Sequence, residues 1–269
     1  MNPELFIVPY DFTSVGDTAL KSAIYLAKPK RAQIILLHLV DHESKIDDAH
    51  QRLEDVISKL DLKVSDGTVS ALVHTGSIFD GISKVAEEKN ATLIIMGTHG
   101  AVGMQKLFGS YAIKVISSSS VPFLIVQDGV ERGDLKKILI PITLAKESLQ
   151  IIHIASKIAI DFDAKIKIIA EKQNDPVLSA RLDIYSKIIK KQFEELNIDY
   201  DIETIKLEKS FQKTIIEYAV KEKYDIIATA HYTESLLPQF ERFTQGLITN
   251  KENIPCLVLN AKALNSFYF

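Results

Sequence analysis

Residues 92–111 read TLIIMGTHGAVGMQKLFGSY, and this stretch decides the fold. Leu93 to Met96 is an apolar run of strand length that feeds into a turn holding Gly97, Gly100 and Gly103. Gly109-Ser110 follows where a helix is due to start. Glycine visits positive φ without a steric penalty and leaves the backbone open to a close approach. A strand entering such a turn beside a helix N-terminus gathers unpaired N–H groups suited to phosphate oxygens. The stretch predicts a strand–turn–helix unit of an α/β fold that could cradle a polyphosphate.

Working outward, similar runs recur at regular intervals. Residues 5–9 (LFIVP) read as a strand ended by proline, and 33–40 (QIILLHLV), 68–74 (TVSALVH) and 121–127 (VPFLIVQ) as three more. Helical spacing of apolar residues predicts helices over 14–28, 44–61, 78–89 and about 110–117. Ala19, Ala23, Ile24 and Ala27 form one face of the first; Ile46, Ala49, Leu53, Val56, Ile57 and Leu60 form that of the second. Strands alternating with helices imply parallel pairing, hence a doubly wound five-stranded sheet with helices on both faces.

The second half repeats the plan. Pro9 in LFIVPYDF matches Pro141 in KILIPITL, 132 positions later, and Ala23 and Ala27 match Ala155 and Ala159 at the same offset. Pro122 in VPFLIV matches Pro255 in IPCLVL at 133, so one residue is inserted between. Two tandem α/β domains follow, expected over 1–130 and 134–263, joined by the polar segment 128–135 (DGVERGDL).

Bulk properties narrow the function classes. The 269 residues are 46% hydrophobic and 25% charged, with 32 basic against 35 acidic side chains and a net charge of −3. Without a polybasic block, neither nucleic acid nor a membrane surface is an expected partner. Cys256 is the single cysteine, so no internal disulfide can form, and its apolar setting IPCLVLN reads as a buried structural thiol. The start MNPELFIVPYDF lacks the basic n-region of a signal peptide, and no apolar run reaches membrane-spanning length. A cytoplasmic location is the expectation.

In an open parallel sheet, ligands bind beyond the carboxyl ends of the strands where the connections diverge. Tyr10-Asp11-Phe12-Thr13, Val40-Asp41-His42 and the glycine turn are expected to converge there. Asp11 could hold a ribose hydroxyl or a metal-bound water, and the backbone at Val40 could read an adenine edge. The glycines follow the fourth strand rather than the first, so this is no Rossmann fingerprint, and no Lys-Ser or Lys-Thr pair makes it a Walker loop. His38, His42, His74 and His99 lack the paired spacing of a metal site. His99, inside the turn, and Lys106 are candidate phosphate contacts whose bland reading is a solvated loop residue. Ser110 sits where a helix N-cap is wanted, and no Gly-x-Ser-x-Gly elbow supports a nucleophile there.

VPYDFT, HLVD and IIMGTHGAVGMQKLFGSYAIKVI together resemble the universal stress protein family, whose tandem members carry two such domains. The resemblance implies an adenine nucleotide alpha hydrolase-like fold and binding of ATP or a related adenine nucleotide, with or without Mg2+. The positions matching the family's motif are Asp11, Val40, Gly97, Gly100, Gly109 and Ser110, with Pro9, Met96, His99 and Tyr111 flanking them. Nucleotide-binding members place nine residues between Gly-x2-Gly and the Gly-Ser pair; here residues 101–108 make eight, which shortens the loop under the phosphates. The implied role is a stress-response sensor or regulator. The fifth strand mediates dimerisation in that family, which implies an intramolecular pseudo-dimer or a homodimer.

The second half departs from the motif. Asp11 aligns with Thr143, Val40 with Lys172 and Asp41 with Gln173; at the 133 offset Gly97, Gly100, Gly109 and Ser110 become Ala230, Thr233, Arg242 and Phe243. This half is expected not to bind ATP in the family's manner. No residue offers a clear general base toward a γ-phosphate, so fast hydrolysis is not expected, while slow hydrolysis or autophosphorylation stays open. Two other readings stand beside the sensor: an interaction scaffold that binds no nucleotide, and an enzyme of the wider alpha hydrolase group. The sulfurtransferase and amidating branches of that group carry a Ser-Gly-Gly-x-Asp-Ser loop after the first strand, where Tyr10 to Ser14 stand here.

Overall fold

Apolar runs flanked by turns form the strands, and the helices between them return the chain so that neighbouring strands run parallel. The structure, a computed structural model, describes residues 4–62, 67–98, 108–129, 134–232 and 238–261. The chain divides into two compact units, Met1–Val130 and Glu131–Phe269. In the first, β1 (Leu5–Pro9), β2 (Gln33–Val40), β3 (Thr68–Thr75), β4 (Leu93–Thr98) and β5 (Phe123–Gln127) pair in parallel in the order β3-β2-β1-β4-β5. The crossovers are α1 (Ser14–Ala27), α2 (Ile46–Ser58), α3 (Ile78–Glu88) and α4 (Phe108–Ser118). Ile7, Ile34, Leu36, Ile94, Ile95 and Phe123 are fully buried at the sheet's centre.

The second unit has β6 (Lys137–Ile142), β7 (Lys165–Glu171), β8 (Tyr200–Ile205), β9 (Ile226–Tyr232) and β10 (Cys256–Ala261), in the order β8-β7-β6-β9-β10. Its helices are α5 (Ile151–Phe162), α6 (Pro176–Glu195), α7 (Phe211–Lys221) and α8 (Pro238–Ile248). Cys256 is buried, and burial pushes its thiol well up, away from reactivity. Among the described residues no helix is long and apolar enough to cross a membrane.

Strand register measures the internal repeat directly. Leu5 pairs with Gln33 as Lys137 pairs with Lys165, an offset of 132, and Ile94 pairs with Phe123 as Ile227 pairs with Cys256, an offset of 133. Between them, Ile34 pairs with Val69 and Ile166 with Tyr200, an offset of only 131 for the third strand. The single insertion expected from sequence is thus the net of one residue lost before β8 and two gained after it. Most elements lie within two residues of their predicted bounds. The exception is 44–61, which divides into a 3-10 turn Glu43–Lys45 and α2.

Candidate functional site

In each unit the connections after the first and fourth strands run toward opposite edges of the sheet. They leave a crevice at the carboxyl ends of β1 and β4 in the first unit. Asp11 stands at its lip. The Tyr10 N–H donates to the Leu37 carbonyl at 2.8 Å, which fixes the chain just before the acid. Thr13 caps α1 by accepting the Gly16 N–H at 3.3 Å. The exposed Asp11 carboxylate accepts the Thr13 N–H at 3.2 Å and its hydroxyl at 2.5 Å, beside the positive end of α1. Tyr10 donates its hydroxyl to Asp17, and burial, reinforced by that bond, pushes the phenol well above its ordinary range.

The other predicted residues divide into three sets. Pro9 closes β1 opposite Leu37, and Met96 is buried in β4. The Val40 carbonyl accepts the Gly76 N–H at 3.0 Å, so one of its lone pairs is already used within the sheet. Asp41, beyond it, is held below the usual carboxylate range by its bond to Lys45, whose Nζ lies 2.7 Å away. Thr98 ends β4 buried, with no hydrogen-bond partner for its hydroxyl among the described residues. Its position at the crevice suits a polar ligand atom.

At Gly97, one of the matched motif positions, a Cβ would lie 2.3 Å from Val15 Cγ1 and 2.5 Å from the Val15 carbonyl oxygen. The missing side chain makes room for α1. Tyr111 stacks on Phe79 of α3, centroids 5.3 Å apart at 19°, with Lys114 Nζ 5.4 Å above the Phe79 ring, so its ring serves the α3–α4 contact. Gly109 and Ser110 lie in the first turn of α4; the helix begins at Phe108, which puts Ser110 inside it rather than at its cap. His99 and Gly100, with Gly103 and Lys106, lie outside the described residues.

Two contacts had no sequence signal. Ser14 donates to Asp128 at 2.6 Å, tying the start of α1 to the end of β5. The Phe12 ring packs against His38 and beneath the Arg52 guanidinium, whose Cζ is 3.9 Å from the ring centroid.

A family model described as the universal stress protein family matches residues 5–127. The amino-terminal unit is a universal stress protein domain. The universal stress protein MJ0577 of Methanocaldococcus jannaschii is 26% identical over 155 residues, covering 45% of this chain and 93% of that protein. MJ0531 of the same organism is 29% identical over 136 residues, covering 45% and 80%. A solved universal stress protein from Archaeoglobus fulgidus matches 97% of this chain and 99% of its own with a TM-score of 0.75; at 18% identity this is a likeness of fold. That span includes both units, in keeping with a tandem arrangement of universal stress protein folds.

The second unit fills its own crevice. Thr143 replaces the acid, and Tyr232, at the end of β9, brings its hydroxyl to 3.5 Å from Thr143 Oγ1; burial pushes that phenol up to about 12. Ala230 replaces Gly97, and the segment matching the first turn of α1 is a 3-10 turn, Lys146–Gln150, with α5 starting only at Ile151. The side chain on Ala230 gives the physical reason, since a Cβ there denies the approach that Val15 makes. The stacked pair Phe211–Phe243, centroids 5.6 Å apart, repeats Phe79–Tyr111 at an offset of 132. Gly109 and Ser110 therefore correspond to Glu241 and Arg242, one position back from the alignment expected at 133.

Proposed function

We propose that the amino-terminal unit binds an adenine nucleotide, ATP with or without Mg2+, at the crevice between β1 and β4. The protein would then act as a stress-response regulator whose partner surface depends on occupancy. The observation that carries this reading is the Asp11 carboxylate, bonded to Thr13 at the head of α1 where the crevice opens. Asp11, which could meet a ribose hydroxyl or a metal-bound water, and Val40, whose backbone could read an adenine edge, both match the family's motif, and the buried Thr98 hydroxyl supplies a polar group deep in the site. One carboxylate is too few to hold Mg2+ alone but suits an ion bound chiefly by phosphates and water.

The second unit takes no nucleotide in this reading, because Tyr232 and Thr143 occupy the equivalent place. Its role is to complete a pseudo-dimer, within the chain or between chains, and a cytoplasmic location goes with it. Calorimetric titration of the whole protein with ATP and Mg2+ tests the proposal: about one nucleotide per chain is expected, lost when Gly100 is replaced by valine. No binding by the unmodified protein, with an intact fold, would leave the interaction scaffold as the better reading.

A further inference from the structure

Asp11 sits in a two-residue bridge between Tyr10 and Thr13, and both ends of that bridge are fixed. The Tyr10 carbonyl lies 2.7 Å from His38 Nδ1 and the Tyr10 N–H donates to Leu37, while Thr13 belongs to the cap of α1. Phe12, the other residue of the bridge, has φ +63, the left-handed region that side chains other than glycine, asparagine and aspartate seldom adopt. Something must hold it there. Its ring is edge-on to Tyr10 at 5.4 Å, tilted against His38 at 4.8 Å, and covered by Arg52, which reaches over from α2. Three segments of chain meet on one aromatic ring beside the acid.

Arg52 has no ion-pair partner among the described residues, although α2 carries Asp47, Asp48, Glu54 and Asp55. Its recorded contact is the face of Phe12, an interaction that is favourable for a guanidinium even at an exposed position. The second unit provides the contrast. There the loop residue matching Phe12 is Leu144, the acid is gone, and Leu144 is not among the residues with positive φ. The helix side chain that reaches this loop is Tyr185, which donates its hydroxyl to the Leu144 carbonyl at 3.2 Å. The unfavourable backbone conformation and the cation above it accompany the carboxylate.

We propose that Arg52, stacked on Phe12, is a positioning residue that holds the Asp11 carboxylate in its ligand-binding pose. The inference rests on the nucleotide reading for its consequence, though not for the clamp itself. A bound nucleotide needs Asp11 in one pose; if the loop samples others, apparent affinity falls by the fraction of molecules that are competent. Arg52 thus acts through Phe12 and not by touching the ligand.

The test compares Arg52→Ala, Arg52→Lys and the unmodified protein, titrated with ATP and with adenosine. Arg52→Ala is expected to weaken both by the same factor, about fivefold, with Arg52→Lys recovering part of the loss because a lysine can also sit over the ring. Unchanged affinity for both ligands would overturn the proposal, as would a loss confined to ATP, which would mean that Arg52 meets the phosphates itself. Hydrogen exchange at the Thr13 amide, which Asp11 accepts, gives a readout that needs no ligand. It is expected to quicken in Arg52→Ala and to recover in Arg52→Lys, and equal exchange in all three proteins would overturn the clamp. If the unmodified protein binds neither ligand, the nucleotide reading fails while the exchange experiment still decides the clamp.

Discussion

Gly97 and Val15 touch so closely that no side chain fits between them: a Cβ on Gly97 would stand 2.5 Å from the Val15 carbonyl oxygen. The glycine at the end of β4 thereby sets how near the first turn of α1 comes to the sheet, and with it the position of the Thr13 cap and of Asp11. The second unit has Ala230 in that place and a 3-10 turn where α1 has its first turn. The two differences are one adjustment.

Replacing Gly97 by alanine is therefore expected to destabilise the first unit by about 1–3 kcal/mol, the range for overpacking a close contact. The reverse change, Ala230→Gly, deletes one methyl from a site already relaxed around it and is expected to cost under about 1.5 kcal/mol. Urea denaturation of both variants checks the asymmetry. Equal effects would mean that Val15 moves aside freely.

Asp11→Asn tests the acid itself. The isosteric amide keeps an acceptor for Thr13 but removes the charge that a ribose hydroxyl or a hydrated metal would meet. Hydrogen bonds to charged groups contribute roughly 1.5–3 kcal/mol, so ATP affinity is expected to fall about ten- to a hundredfold. The thermal shift produced by ATP should shrink in parallel. A full shift in the variant would place the ligand elsewhere.

The parallel sheets were legible because period and composition agree: LFIVP, QIILLHLV and VPFLIVQ are apolar throughout, as strands covered on both faces must be. The places of Asp11 just beyond β1 and of Val40 at the end of β2 were legible from the strand pattern. Three features were not. A glycine's bareness does not say which neighbour uses it, and only the fold shows that Val15 lies against Gly97. Arg52 is one cation on a polar helix face, forty positions from Phe12, and only the fold brings them together. The alignment of Gly109 with Arg242 assumed one constant offset, whereas gains and losses in the connections nearly cancel along the chain.

Tyr232 should make the second unit sensitive to alkali. Its folded value near 12 lies above the ordinary 10.0, so the stabilisation is complete below pH 10 and is lost as pH rises through 12. The difference corresponds to roughly 2–3 kcal/mol. Tyr232→Phe removes the titrating group, and its stability is expected to decline less steeply than that of the unmodified protein between pH 10 and 12. Parallel curves would show that the phenol is not desolvated.

Lys167 presents the opposite case, a cation drawn into the second unit by acids on β8. Its side chain is 8% exposed and its Nζ lies 2.5 Å from Asp201 and 2.7 Å from Glu203. Burial alone would depress the ammonium, but the two carboxylates outweigh it and the net direction is upward. Asp201 moves the other way, held below the usual range by its bond to Lys167. A lowered acid contributes stability above its unfolded value and loses it as pH falls through the folded one, so this cluster weakens in acid and not near neutrality. Lys167→Ala leaves two carboxylates side by side on one strand without their cation. It is expected to destabilise the second unit more at pH 7 than at pH 3, where both acids are protonated and their repulsion is gone. Denaturation of Lys167→Ala at the two pH values checks this, and an equal loss at both would assign the role of Lys167 to packing of its methylene stem.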